Sequence, residues 1–224
     1  MGSKNKQRRF RENETFHNVY QPTREELVDA TFKLKGKWRS EVFKNNNPLV
    51  LELGCGKGEY TVGLAKRYPN KNFIGIDIKG ARFWRGAKTA IEEDIPNAAF
   101  IRTQIELIEF VFEENEVDEI WITFPDPQIK YQRTKHRMTN LQFLERYKKV
   151  LIPGGLMHLK TDSEFMHGYT LGLLHGLGLE VPYANHNVYK LEGSPEDVTE
   201  IKTFYENQYL EKDKEITYIR FKIN

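Results

Sequence analysis

Carboxylates and a run of cations are spaced along this sequence so that chemistry can be read from them. Leu51-Glu52-Leu53-Gly54-Cys55-Gly56-Lys57-Gly58-Glu59 is an apolar run that turns into closely spaced glycines, with an acid, Glu52, inside its end. Glycines allow a tight turn and let a ligand approach backbone that a side chain would cover. The loop reads G-x-G-x-G, whereas dinucleotide-binding turns read G-x-G-x-x-G and receive a pyrophosphate at a helix N-terminus. A carboxylate beside the loop repels a pyrophosphate but can pair with an ammonium group, which favours S-adenosylmethionine over a nicotinamide cofactor. Asp77 follows Gly58 by nineteen residues, at the end of Phe73-Ile74-Gly75-Ile76-Asp77. An acid about 20 residues beyond a glycine loop can accept hydrogen bonds from both ribose hydroxyls. Gln104 follows the third apolar run, where its amide can both donate to and accept from an adenine edge. Glu52, Gly54, Gly56, Gly58, Asp77 and Gln104 thus outline a nucleoside cofactor site, although each alone reads equally well as an ordinary turn or surface residue.

A second constellation starts at Trp121-Ile122-Thr123-Phe124-Pro125-Asp126-Pro127. Prolines on both sides restrict the backbone of Asp126 and so preset its carboxylate. Directly after it, Lys130-Tyr131-Gln132-Arg133-Thr134-Lys135-His136-Arg137 holds four cations, one histidine and no acid. Flexible cations suit phosphate oxygens and Tyr131 can stack on a base, so the substrate reads as RNA. Elsewhere such a run is a solvated loop; its place beside Asp126 gives it meaning. Cys55 is the single cysteine, which excludes an internal disulfide and a Cys-cluster metal site. With no base beside it in sequence it reads as a small loop residue, and no metal is expected.

These residues need elements to position them. Short apolar runs at 48–53, 72–77, 98–102, 118–124 and 155–161 alternate with helical stretches at 58–68, 80–93, 104–113 and 139–150. That alternation is expected of a doubly wound α/β sheet with parallel strands, whose ligands sit outside the strands' carboxyl ends. An amphipathic helix is expected after Thr161-Asp162, then apolar pieces near 179–189 and an alternating strand at 216–223. Upstream, Thr23 and Glu26 have capping-box spacing, predicting a helix that carries Lys33, Lys35 and Lys37 toward Trp38. Residues 1–22 read as a basic flexible arm, and 23–224 as a single domain with a cofactor half at about 48–125 and a substrate half at about 126–224. Residues 1–39 hold ten Lys/Arg against five Asp/Glu, and the rest 24 against 27, so a net charge of +2 hides a basic front end suited to a polyanion. No apolar run approaches the roughly 20 residues of a membrane span, and no secretory signal is legible, so a cytoplasmic protein is expected.

Taken together, ELGCGKG, GID, FPDP, the basic stretch, LKTD (Leu159 to Asp162) and TFYE (Thr203 to Glu206) resemble the bacterial tRNA (guanine-N7-)-methyltransferase family from about residue 48 to the end. The resemblance implies a Rossmann-like class I methyltransferase with a mostly parallel seven-stranded sheet, helices on both faces and an antiparallel final strand. It implies transfer of a methyl group from S-adenosyl-L-methionine, leaving S-adenosyl-L-homocysteine, to N7 of the variable-loop guanine of tRNA (position 46 in the standard tRNA count). By the same matching Glu52, Asp77, Gln104 and Asp126 contact the cofactor, with Asp126 the catalytic acid. Lys130, Asp162, Thr203, Phe204, Tyr205 and Glu206 fall to the substrate, and Gln132, Arg133, Thr134, Lys135, His136 and Arg137 to the RNA. The expected partner is tRNA, with no membrane or metal, and the protein is expected as a monomer or homodimer. Three departures stand out: Gln104 where the family has Asp, Gln128-Ile129 after Pro127 in place of Trp-Pro or Trp-His, and an acidic insertion at 192–202 that would lengthen a lid. Two other readings remain open at this point: a class I methyltransferase acting on a small molecule or protein, and a non-catalytic RNA-binding module that retains a nucleoside pocket.

Overall fold

Alternation along Leu49–Leu53 sends Leu49, Leu51 and Leu53 to one apolar layer and Val50 to a second. The whole sheet repeats this division, so helices must cover both faces. The computed structural model describes residues 3–223. The chain begins with α1 (Ser3–Thr15), β1 (Val19–Tyr20) and α2 (Arg24–Val28), followed by a π-helical turn at Trp38–Phe43. Next come β2 (Leu49–Leu53), α3 (Glu59–Arg67), β3 (Asn72–Ile76), α4 (Gly80–Glu92) and β4 (Ala98–Ile101). A 3-10 turn (Ile105–Leu107) leads into α5 (Ile108–Val111) and β5 (Val117–Thr123). After a second 3-10 segment (Tyr131–His136) follow α6 (Leu141–Val150), β6 (Leu151–Thr161), α7 (Glu164–Gly176), β7 (Tyr183–Asn185), α8 (Glu196–Glu200), α9 (Phe204–Leu210) and β8 (Thr217–Lys222).

The sheet has eight strands in the order β1-β4-β3-β2-β5-β6-β8-β7, parallel from β1 to β6, with β8 antiparallel to both of its neighbours. The doubly wound α/β architecture and the antiparallel last strand are as expected. The crossover connections bring the carboxyl ends of the central strands β3, β2, β5 and β6 to one edge.

The departures lie at the N-terminal side. Residues 1 and 2 fall outside the described residues, but 3–22 do not show the expected flexible arm. Asn13 donates to the Gly80 carbonyl (2.9 Å), the Trp84 indole donates to Glu12 (2.7 Å), and Arg9 lies over the Trp84 ring (4.7 Å), fixing α1 against α4. Val19 and Tyr20 then pair with Phe100 and Ile101, adding an eighth strand to the seven expected. The capping box at Thr23 is present, with Thr23 Oγ1 accepting from the Glu26 N–H (3.1 Å) and Glu26 Oε2 from the Thr23 N–H (2.7 Å). The helix nevertheless stops at Val28, because Ala30 turns left-handed (φ 56°) and the next N–H groups fold back onto the Glu26 carbonyl. Lys33 and Lys35 therefore sit in a turn, and Lys37 directly precedes the π-helical turn, rather than sharing a helix face. The acidic insertion is no extended lid: Arg67 of α3 pairs with Glu196, Asp197 and Glu200, and Val198 is buried, so α8 is clasped onto the outside of α3.

Candidate active site

Strand alternation decides what Glu52 can do. It points to the layer covered by α3, where Glu52 Oε2 accepts from the Thr61 N–H (2.8 Å) and hydroxyl (2.5 Å), and Oε1 from the Thr123 hydroxyl (2.6 Å). The side chain is 3% exposed, and burial lifts its carboxyl from 4.5 to about 7. Glu52 faces inward and ties the ends of β2 and β5 to α3. Asp77, 8% exposed, lies beside the loop. Its Oδ2 accepts from the Gly56 N–H (3.0 Å) and its Oδ1 from the Lys79 N–H (2.7 Å), so one carboxylate clasps the glycine loop and the turn into α4. Gly54, Gly56 and Gly58 have φ of 75°, 56° and 75°, which L side chains resist. A Cβ on Gly56 would meet nothing nearer than a carbonyl at 4.0 Å, so the loop leaves an open cradle beside Asp77. Cys55 is buried, and burial first, then the charges of Glu52 and Asp77, pushes its thiol well above its ordinary range, which removes it as a nucleophile. Gln104 is exposed beside Ile78, Thr103 and Arg24, at the end of β4 and on the same edge.

Asp126 follows β5, the neighbour of β2, and therefore opens on that edge. It is exposed, with Oδ1 accepting from the Gln128 N–H (3.1 Å). Phe124 and Gln128 both have a φ of 47°, so the Pro-Asp-Pro segment is a tightly bent arch. Arg137 braces it from beneath. Its Nε donates to the Gln128 carbonyl (3.2 Å), a terminal nitrogen donates to the Ile129 carbonyl (3.3 Å), and the guanidinium stacks on Phe165 (4.8 Å) and Tyr169 (4.5 Å). Arg137 is 6% exposed and, unlike the cations before it, is engaged by the arch it braces. Thr134 is also partly withdrawn, its hydroxyl donating to the Tyr131 carbonyl (2.7 Å). Lys130, Tyr131, Gln132, Arg133, Lys135 and His136 are exposed, with Tyr131 at 90%, and among the described residues no carboxylate pairs with Lys130, Arg133 or Lys135. Met138, just beyond, lies 3.8 Å from where a Gly54 side chain would project, so the chain leaving the basic segment passes over the glycine loop.

The end of β6 supplies Lys160 and Asp162. Asp162 Oδ2 pairs with Lys214 at 2.8 Å. Lys160 is fully buried against Glu206 (2.7 Å), donates to the Ile201 carbonyl (3.1 Å), and is brought down by burial to about 8 although Glu206 opposes the shift. Glu206 also accepts from the Tyr189 hydroxyl (2.6 Å) and closes a capping box with Thr203. In this arrangement Thr203 caps α9, and Glu206, 0% exposed, rivets α9 to the sheet. Phe204 and Tyr205 do face outward, Phe204 under the Lys57 ammonium (3.2 Å) with its N–H held by Glu59 (2.8 Å). Sequence reasoning missed Thr61, Thr123, Arg137's bracing role and Lys160. The spacing Thr203-x-x-Glu206 matches Thr23-x-x-Glu26 and carried the capping signal.

Comparisons with known proteins bear on this edge as a whole. A family model described as "Putative methyltransferase" matches residues 46–219. Among solved structures, an antibiotic-related methyltransferase aligns with a TM-score of 0.61 at 18% identity, covering 85% of this chain and 94% of that one. The 16S rRNA methyltransferase KamB aligns with a TM-score of 0.61 at 14% identity over 81% and 90% of the two chains, so both report the fold. The tRNA (guanine-N(7)-)-methyltransferase of Christiangramia forsetii is 74% identical over 223 residues, 100% of each chain, and that of Porphyromonas gingivalis is 50% identical over 93% of this chain and 85% of its own. With such relatives aligned across nearly all of its length, the chain belongs to the tRNA (guanine-N7-)-methyltransferase family.

Proposed function

We propose that the protein methylates N7 of the variable-loop guanine of tRNA, position 46, with S-adenosyl-L-methionine as donor, in the cytoplasm where its substrate resides. The observation that carries this reading is the meeting of two unlike surfaces: an open glycine cradle beside Asp77, and on the same edge an exposed cationic segment joined to Asp126. The cradle fits the cofactor. Space is free where a Gly56 side chain would stand, and each Asp77 oxygen spends one lone pair on a backbone N–H, keeping another for a ribose hydroxyl. Gln104 stands at the adenine end, while Glu52 holds the loop in shape from behind. When bound, the cofactor supplies an electrophilic sulfonium methyl group.

Guanine N7 carries a lone pair and no proton, so the protein need not remove one. Its work is orientation and charge. Asp126 is exposed and has Oδ1 held by the Gln128 N–H, so the carboxylate can accept from the N1 and N2 hydrogens of a guanine and favour the positive charge that grows on the ring. Asp162, steadied by Lys214, is the second acceptor on that edge. Lys130, Arg133 and Lys135 hold phosphates, and Tyr131 offers a face for a base. Phe204 and Tyr205 close the side next to Lys57.

The test is incubation of the purified protein with bulk tRNA and methyl-labelled donor, followed by digestion to nucleosides. Label in 7-methylguanosine is the expected result. Binding of tRNA without label would make the protein an RNA-binding module, and label confined to another nucleoside would overturn the N7 assignment.

A further inference from the structure

Beside the cleft, a cavity of about 910 Å³ opens between α1, the start of α4 and the tip of α9. Its lining is unusual in charge. Lys79, Arg82 and Arg85 follow one another at intervals of three residues and so share one side of the start of α4. Lys57 from the glycine loop and Arg102 from the end of β4 flank them, and Lys6 on α1 stands on the far wall. Glu59 is the one acid in this lining, and its carboxylate holds the Phe204 N–H. Among the described residues no carboxylate pairs with Lys6, Lys57, Lys79, Arg82 or Arg85, whereas the nearby Arg8 and Lys88 have Glu12 and Glu92. Cations gathered in one concavity without counter-charge raise its potential and call for an external anion. The wall is fixed rather than swinging, since α1 is bonded to Gly80 and Trp84 of α4.

We infer that this cavity is a second anchoring surface for tRNA, taking a stretch of its sugar–phosphate backbone while the Lys130–His136 segment takes another. The inference rests on the proposed substrate. An extended polyanion suits the lining better than a single small anion, because the cations are spread over four separate chain segments. Arginines present forked donors that match phosphate oxygens. The cavity also adjoins the glycine-loop side of the cleft through Ile78 and Lys79, which follow Asp77 directly.

The test compares tRNA affinity across a salt series for the wild type, for the triple variant Lys79→Gln/Arg82→Gln/Arg85→Gln, and for the control Lys33→Gln/Lys35→Gln/Lys37→Gln. The control removes equal charge from a separate cavity beside Phe110 and Glu113. Each phosphate contact contributes about 0.7 to 0.9 to the slope of log K against log salt, so the triple variant should lose about 2. The control should keep the wild-type slope, and both should bind S-adenosylhomocysteine as the wild type does. Lys6→Gln, on an exposed helix position, gives a second reading free of folding effects, with an expected loss of about 0.7 to 0.9. An unchanged slope in the triple variant and Lys6→Gln overturns the inference. So does an equal loss in the control, which would reduce the effect to net charge, or a loss of S-adenosylhomocysteine binding, which would assign the cavity to the cofactor. A wild type that methylates tRNA while the slopes stay unchanged defeats this inference alone. A wild type that binds tRNA with the expected slopes but transfers no methyl defeats only the activity, and one that does not bind tRNA defeats both.

Discussion

Carboxylates on this edge either reach outward or turn inward, and their neighbours decide which. Asp126 reaches outward from an arch whose proline neighbours and Gln128 N–H leave it little freedom. Asp126→Asn keeps the shape but loses the charge that favours a cationic purine. It should lower kcat by about 10²- to 10³-fold, the scale of one preorganised electrostatic group, with S-adenosylhomocysteine affinity unchanged. Single-turnover methyl transfer and a cofactor titration check the two halves, and near-normal turnover would remove Asp126 from the chemistry. Glu52 turns inward, and its carboxyl is lifted by burial from 4.5 to about 7. The unfolded chain releases that proton near 4.5 and the folded one near 7, so this group's stabilisation is complete below the lower value and lost as pH rises through the upper. At about 1.4 kcal/mol per unit, the stability of Glu52→Gln relative to wild type should rise by about 3 kcal/mol across that window and stay level above it. Denaturant melts at several pH values measure this; a difference independent of pH would mean the carboxyl is not lifted. The two residues also mark what spacing can disclose. The strand-then-loop pattern placed Asp77 and Asp126 just beyond strand ends, because their setting is local. Glu52's orientation depends on Thr123, 71 residues away, which no local pattern links to it.

At the scale of elements, the basic segment divides into outward cations and one inward brace. Arg137 donates to two carbonyls of the Asp126 arch and stacks on two rings of α7, while Lys135 is exposed. Arg137→Lys preserves charge but loses the fork. With hydrogen bonds to charged groups contributing about 1.5 to 3 kcal/mol, kcat should fall roughly tenfold to a hundredfold with the salt slope of tRNA binding unaltered. Lys135→Gln should do the reverse, keeping kcat and reducing the slope by about 0.7 to 0.9. Equal behaviour of the two variants in the salt series would show Arg137 touching phosphate after all. In sequence the two cations are indistinguishable, two residues apart in one run; what separates them is α7, which supplies Phe165 and Tyr169. The element α9 teaches a related lesson. TFYE looks like a substrate motif, yet its first and last residues form a cap and a buried ion pair, and only Phe204 and Tyr205 between them face the cleft. The central strands and most crossover helices were legible because the periods of apolar residues are long and clean. The two-residue strand β1 and the early end of α2 were not, because the first depends on pairing with β4 and the second on one left-handed alanine.

Over the whole molecule, four parallel strands end together, so the glycine loop with Asp77 and the arch with Asp126 come from different parts of the chain but share one edge. The basic front end read from the sequence becomes a wall of that same edge once α1 lies on α4. A ligand bound across such an edge to the folded chain alone should stabilise the fold by mass action. S-Adenosylhomocysteine at a hundredfold excess over its Kd adds about 2.7 kcal/mol by mass action. For a chain of this size each kcal/mol moves Tm by about 2 to 4 °C, giving an expected rise of about 5 to 10 °C. Asp77→Ala should abolish that rise, because the loop loses its clasp to Gly56 and the ribose its acceptor. Its own Tm should also fall, as the Gly56 and Lys79 N–H groups lose their partner. Asp126→Ala should keep the full rise, since among the described residues its carboxylate bonds only to the Gln128 N–H two positions on. The pair therefore separates cradle from arch: if both variants lost the shift, one pocket would serve cofactor and guanine without division, and if neither did, the cofactor would bind away from the glycine loop.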